Sequence, residues 1–177
     1  MEPYLITIPN VLTIKKIFDL RRKLVGLGCG LPDPRAKVLP HVTIVYIEEK
    51  NLTLEQNDLL VKKLSELSFS KSIKLKVKEI VNWEYKIVSL FDTTPIRELV
   101  TSSEKLFKEI RIKANEDYKN LVGNHMKVVR EIKPEKVQQV LRLIKLKFPK
   151  EIIFDRVAYI NKYGGEEKDI LWQKKLE

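Results

Sequence analysis

The chain contains two histidines, His41 and His125, 84 positions apart (125 minus 41), and each is followed two residues later by a polar side chain: Thr43 in one case, Lys127 in the other. The stretches around them, "LPHVTIVYI" at 39–47 and "GNHMKVVREI" at 123–132, are otherwise largely apolar. Imidazole changes charge near neutral pH, so two of them on opposite sides of a cleft can act as base and acid in a phosphodiester displacement. Charge developing on the phosphoryl oxygens then needs fixed donors or cations, and Thr43 and Lys127 stand one pleat along from each imidazole, on the same strand face. Either histidine alone reads as a structural residue at a strand end. The recurrence of the same polar pair favours a site.

The elements that would position these residues follow from periodicity. Residues 4–8, "YLITI", read as a strand closed by Pro9 and Asn10. Thr13 is the expected N-cap of a helix with Ile14, Ile17, Phe18, Leu24 and Val25 on its apolar stripe and basic residues on the other side. Gly26, Gly28 and Gly30 end that helix, and a loop rich in Pro and Gly leads into His41. "TLEQ" at 53–56 matches a capping box, with Leu60, Leu64 and Leu67 facing the core. Ile73, Leu75 and Val77 alternate with lysines, and Tyr85, Ile87, Ser89 and Phe91 alternate after "NWE", which reads as an antiparallel pair.

Thr94 and Pro95 open a third helix with Ile96, Leu99, Val100, Ser103, Leu106, Phe107 and Ile110 on one face. The second half repeats this grammar. Residues 123–132 form a strand, Pro134 opens a helix carrying Val137, Val140, Leu141, Ile144 and Phe148, and strands at 151–160 and 168–176 flank Gly164 and Gly165, which suit a hairpin turn. The expected fold class is α+β: two pseudo-symmetric lobes, each an antiparallel sheet flanked by helices, around a central cleft, with residues 1–177 forming a single domain.

Composition excludes several classes. At 177 residues, 44% hydrophobic and 33% charged, the chain suits one well-packed core. No apolar run reaches the roughly 18 residues of a membrane span, and the first residues, "MEPYLITIPN", carry an acid where a signal peptide needs basic residues, so the expected location is cytoplasmic. The single cysteine, Cys29, rules out an intrachain disulfide and reads as an incidental thiol. A net charge of +10 favours polyanionic partners.

Both histidine stretches resemble the marks of the two-histidine (2H) phosphoesterases, which include RNA 2',3'-cyclic phosphodiesterases and 2'-5' RNA ligase-like proteins. Those marks are two His-x-Thr/Ser-x motifs, apolar at the last place, on strands of two pseudo-symmetric lobes. "HVTI" fits fully; "HMKV" fits at the histidine and the apolar place but has Lys127 where the hydroxyl stands. The resemblance in element order extends over nearly the whole chain. It implies metal-free attack of water on a cyclic or 2'-linked phosphodiester of RNA or a ribonucleotide, with no cofactor. His125 is then the expected base, His41 the acid, and Thr43 and Lys127 the phosphate contacts, the two histidine roles being exchangeable. The rival readings are a non-catalytic RNA-binding module on the same fold and an RNA 2'-5' ligase.

A second rank of residues completes the expectation. Arg35, Lys37 and Tyr4 are possible substrate contacts. Strand parity puts Arg130 on the face opposite His125 unless a bulge intervenes. Tyr4, Tyr46, Trp83, Tyr159 and Trp172 are able to stack on a base, although most aromatics on alternating strands are core. The basic helix after Pro134, with Lys136, Arg142, Lys145, Lys147 and Lys150, is a solvated face that also suits steering of RNA. No metal site, membrane contact or obligate protein partner is expected.

Overall fold

The computed structural model describes residues 3–28, 38–48, 52–67, 71–84, 86–114, 124–160 and 166–176. The first strand, β1 (Tyr4–Pro9), is buried at every position, because both faces of the sheet are covered there. Helix α1 (Val11–Gly26) starts earlier than its sequence suggests. Asn10 is the N-cap, its side-chain oxygen accepting the Thr13 N–H at 2.9 Å, so Thr13, the expected cap, lies inside the first turn. Asn is at least as good a cap as Thr, and it comes first in the chain.

Strand β2 (Val42–Tyr46) follows, then α2 (Leu54–Glu66), which begins with the expected capping box: Gln56 N–H donates to Thr53 Oγ1 at 3.2 Å and Thr53 N–H to Gln56 Oε1 at 2.9 Å. The hairpin of β3 (Ile73–Trp83) and β4 (Lys86–Phe91) comes next. Each of α3 (Arg97–Glu109) and α4 (Val137–Lys147) is entered through a single 3-10 turn containing proline, at Thr94–Ile96 and Pro134–Lys136. Proline suits this position because its φ is preset and its missing N–H has no helical partner to lose. Between them lies β5 (His125–Val129), and the chain closes with β6 (Glu151–Ile160) and β7 (Ile170–Lys175). The Gly164–Gly165 turn and Tyr85 lie outside the described residues.

The seven strands form one antiparallel sheet in the order β2-β1-β6-β3-β4-β5, with β7 also paired to β6. β6 therefore joins the two halves: it pairs with β1 along one edge and with β3 and β7 along the other. The two histidine strands stand at opposite ends of this order, yet β2 and β5 touch. The sheet curls until its outermost strands meet.

Four helices cover one face. Ile17 and Leu24 of α1, Leu60 and Leu64 of α2, Leu106 and Phe107 of α3, and Val140 and Ile144 of α4 share a core with Leu75, Ile87, Met126, Val128 and Phe154 from the sheet. A smaller cluster of Tyr4, Ile6, Ile8, Leu39, Tyr46, Ala158 and Ile160 lies on the opposite face, as strict alternation along β1 requires. Among the described residues no helix is long and apolar enough to cross a membrane.

The core carries a local cost that is testable. Ser89 Oγ and Ser103 Oγ are buried and have no hydrogen-bond partner among the described residues. A buried hydroxyl without a partner is destabilising, and alanine is also the better helix former. Ser103→Ala is therefore expected to raise the urea midpoint by an amount equivalent to about 1 kcal/mol, at unchanged denaturant slope. A lowered midpoint means that the hydroxyl is satisfied in solution.

Candidate active site

His41 sits at the end of a short arm that runs into β2. A backbone carbonyl can only accept, so the 2.8 Å contact between His41 Nδ1 and Leu39 O puts a proton on Nδ1 and leaves the lone pair on Nε2. The ring packs against Tyr4, centroids 5.5 Å apart, and Tyr4 in turn lies 6.1 Å from the Tyr46 ring. Only 1% of Tyr4 is exposed, so it forms the wall behind the imidazole.

Strand β2 does not alternate simply. Leu5 pairs with Val45 and Ile6 with Thr43, leaving Ile44 as the extra residue of a β-bulge. Ile44 and Val45 consequently both enter the helix-side core, and Tyr46 returns to the face of Thr43. The two side chains meet there: Thr43 Oγ1 donates to Tyr46 Oη at 3.4 Å.

Strand β5 repeats the device at the same place relative to its histidine. Val88 pairs with Lys127 and Ile87 with Val129, so Val128 is the bulged residue. His125 and Lys127 share a face, and the reset parity turns Arg130 onto that face too. The condition attached to Arg130 by simple alternation is met by this bulge. The duplicated unit is thus longer than two residues: His41, Thr43 and Tyr46 correspond to His125, Lys127 and Arg130. The sequence signal was the break in alternation, Ile44-Val45 in one strand and Val128-Val129 in the other.

His125 is 6% exposed, with Nδ1 2.9 Å from Asn124 Oδ1 and its ring 5.1 Å from that of Trp83, tilted by 47°. Each imidazole therefore packs against an aromatic ring and has an oxygen at hydrogen-bond distance from Nδ1. The meeting of β2 and β5 brings the two units together closely enough for charges on one to act on the other. Burial pushes the His41 pKa down, the hydrogen bond to the Leu39 carbonyl opposes this, and Lys127, Arg130 and His125 all push it further down, to about 4. At neutral pH His41 is an uncharged imidazole in the field of Lys127 and Arg130.

Sequence reasoning missed Arg21. The helical pattern expects basic residues on the polar side of α1, but the buried stripe runs Ile17, Leu20, Arg21 and Leu24. Its position, four residues after Ile17 and three before Leu24, was the available signal. Arg21 Nε donates to Val128 O at 2.8 Å, Nη2 donates to Lys127 O at 3.2 Å, and Nη1 donates to Val38 O in the arm before His41. Burial and the nearby Arg130 lower its pKa to about 10, leaving it charged at neutral pH.

The remaining candidates divide cleanly. Arg35, Lys37 and Cys29 lie outside the described residues. Tyr159 and Trp172 belong to the helix side of the sheet, donating to Asn57 Oδ1 at 2.6 Å and Ser65 Oγ at 2.9 Å. Tyr4, Tyr46 and Trp83 stand at the site. On α4, Arg142, Lys145 and Lys147 are exposed, as expected of a solvated face. No group of three or more His, Cys, Asp or Glu with metal-binding geometry occurs among the described residues.

Comparison with solved structures agrees with this architecture. E. coli LigT, solved with 3'-AMP, is 11% identical, with a TM-score of 0.59 over 99% of this chain and 96% of that one. A protein solved as a phosphoesterase is 11% identical, with a TM-score of 0.63 over 99% and 97%. The PDE domain of MHV ns2 is 15% identical, with a TM-score of 0.51 over 73% of this chain and 83% of that one. LigT has also been solved with phosphate. No protein-family model matches the chain, and no curated protein matches it in sequence. The chain shares its fold with LigT, with that phosphoesterase and with the ns2 PDE domain.

Proposed function

We propose that the protein is a metal-independent phosphodiesterase that hydrolyses 2',3'-cyclic phosphates or related 2'-linked ribonucleotide phosphodiesters, most naturally at RNA ends. The observation that carries the reading is the convergence of His41, His125, Lys127 and Arg130 from opposite ends of the sheet into one electrostatic neighbourhood. The fold shared with a phosphoesterase, and with LigT bound to 3'-AMP and to phosphate, supports the same class of substrate.

The geometry favours exchanging the two histidine roles relative to the sequence expectation. His41, uncharged and with its lone pair on Nε2, is the base that takes a proton from the attacking water. The water oxygen bonds to phosphorus and the bond to one ribose oxygen breaks. His125 donates its proton to that leaving oxygen, with Asn124 Oδ1 accepting from Nδ1 of the imidazolium. Loss of the 2'-oxygen leaves a 3'-phosphate; loss of the 3'-oxygen leaves a 2'-phosphate. Thr43, Lys127 and Arg130 hold the phosphoryl oxygens as charge develops on them. Lys127 replaces a hydroxyl by a full charge, and the surplus of 34 Lys and Arg over 24 Asp and Glu draws in a polyanion.

The test is a panel of 2',3'-cyclic nucleotides, short RNAs ending in a cyclic phosphate, and 2'-5' dinucleotides, assayed with product regiochemistry read out and with excess chelator in parallel. Turnover of at least one class at a rate the chelator does not change is the expected result. Salt-dependent RNA binding without turnover of any of them overturns the enzyme and leaves a binding module.

A further inference from the structure

Arg21 makes contacts that go beyond ordinary support of a helix. It is a buried cation on an apolar stripe, and its guanidinium donates to three backbone carbonyls rather than to a carboxylate. Two of those carbonyls, of Lys127 and Val128, belong to the bulge of β5, where the regular strand ladder is interrupted. The third, of Val38, belongs to the arm that ends in His41. Each half of the site is therefore held by the same planar group, whose fork fixes direction as well as distance.

We propose that Arg21 is the positioning residue of the cleft: by bracing the arm of His41 against the bulged strand of His125, it sets the separation across which the two half-sites act on one phosphate. The bulge it braces is also the one that turns Arg130 onto the face of His125, so the same contact governs where that cation points. Arg21 acts through these groups and not by its own charge, since the charges that bear on His41 are those of Lys127, Arg130 and His125 on β5. Among the described residues the other contacts of His41 are the Tyr4 ring on β1 and the Leu39 carbonyl of its own arm, neither of them charged.

The catalytic part of this inference rests on the proposed phosphodiesterase reading; the geometric part does not, and the experiment separates them. Only two histidines exist, so the two imidazole proton signals can be followed by NMR titration. In the otherwise wild-type protein, Lys127→Met is expected to shift the His41 titration upward, because one nearby cation is removed. In the Arg21→Met background the same substitution is expected to shift it much less, because the half-sites no longer face one another at fixed distance. If the chain turns over a cyclic phosphate, Arg21→Met should also lower kcat about 100-fold with KM changed far less, as expected when reacting groups are displaced by about 1 Å. Arg21→Lys, which keeps the charge and loses the fork, carries the same readings should Arg21→Met not fold. A folded Arg21 variant that keeps the full Lys127 effect on His41 overturns the inference whatever its activity. Loss of that effect in a protein inactive on every substrate upholds the inference and overturns only the reaction.

Discussion

His41→Ala and His125→Ala are each expected to lower turnover of a 2',3'-cyclic nucleotide by about 10²–10⁴-fold, the range for removing one positioned acid or base. Both residues lie at or next to strand ends, and each is partly held by contacts other than its own bulk. His41 is partly buried and His125 buried, so the circular dichroism spectrum of each variant, expected to match wild type, is read beside its rate. Their effects should also be far from additive. With either imidazole gone, the other can no longer complete a concerted proton relay, so the double variant should fall little below the worse single one. The residual rate reports what Lys127, Arg130 and Thr43 achieve by holding the phosphate. Wild-type rates in both single variants would falsify the proposed chemistry.

The second large effect concerns pH. The imidazole pKa of His41 falls from 6.5 to about 4, with burial as the largest cause. A base must be uncharged to act, so the acid limb of kcat/KM, which reports the free enzyme, is expected near pH 4 rather than near 6.5. Lys127→Met removes one of the cations that hold the ring neutral and should move that limb upward. Stability follows from the same shift. Between pH 6.5 and pH 4 the unfolded chain binds a proton at this residue that the folded chain refuses, so stability is lost as pH falls through that window. The full effect is on the order of 3 kcal/mol. His41→Gln should lack it, so its melting temperature should decline less than that of wild type between pH 7 and pH 4. Parallel decline of the two, with an acid limb remaining near 6.5, contradicts the neutral base.

Much of the architecture was legible because local patterns and global fold agree. The Thr53–Gln56 capping box, the proline-initiated entries to α3 and α4, and the Lys-alternating strand at Ile73–Val77 all carry their signal within a few residues. The histidines were legible for a different reason: their scarcity made a repeated polar pair conspicuous against apolar strands. Two features required tertiary information. Arg130 is on the face of His125 only because β5 bulges at Val128, and the break in alternation at Val128-Val129 does not by itself distinguish a bulge from a strand buried on both faces. Arg21 tolerates burial because it donates to carbonyls of the bulge and of the arm of His41; its spacing from Ile17 and Leu24 marks it as facing inward, but nothing in "DLRRKL" names those acceptors. Thr13 shows the same limit on a smaller scale, since Asn10 caps the helix first.

The contact between β2 and β5 has a bearing on colloidal behaviour as well as on chemistry. A sheet whose terminal strands were left open would offer two rows of unsatisfied backbone groups to neighbouring molecules, a known route to edge-to-edge aggregation. Here the terminal strands are short, five residues each, and lie against one another. The closure that brings the two histidine strands together also shields both ends of the sheet from intermolecular pairing, so a protein with its cleft pried open should become sticky.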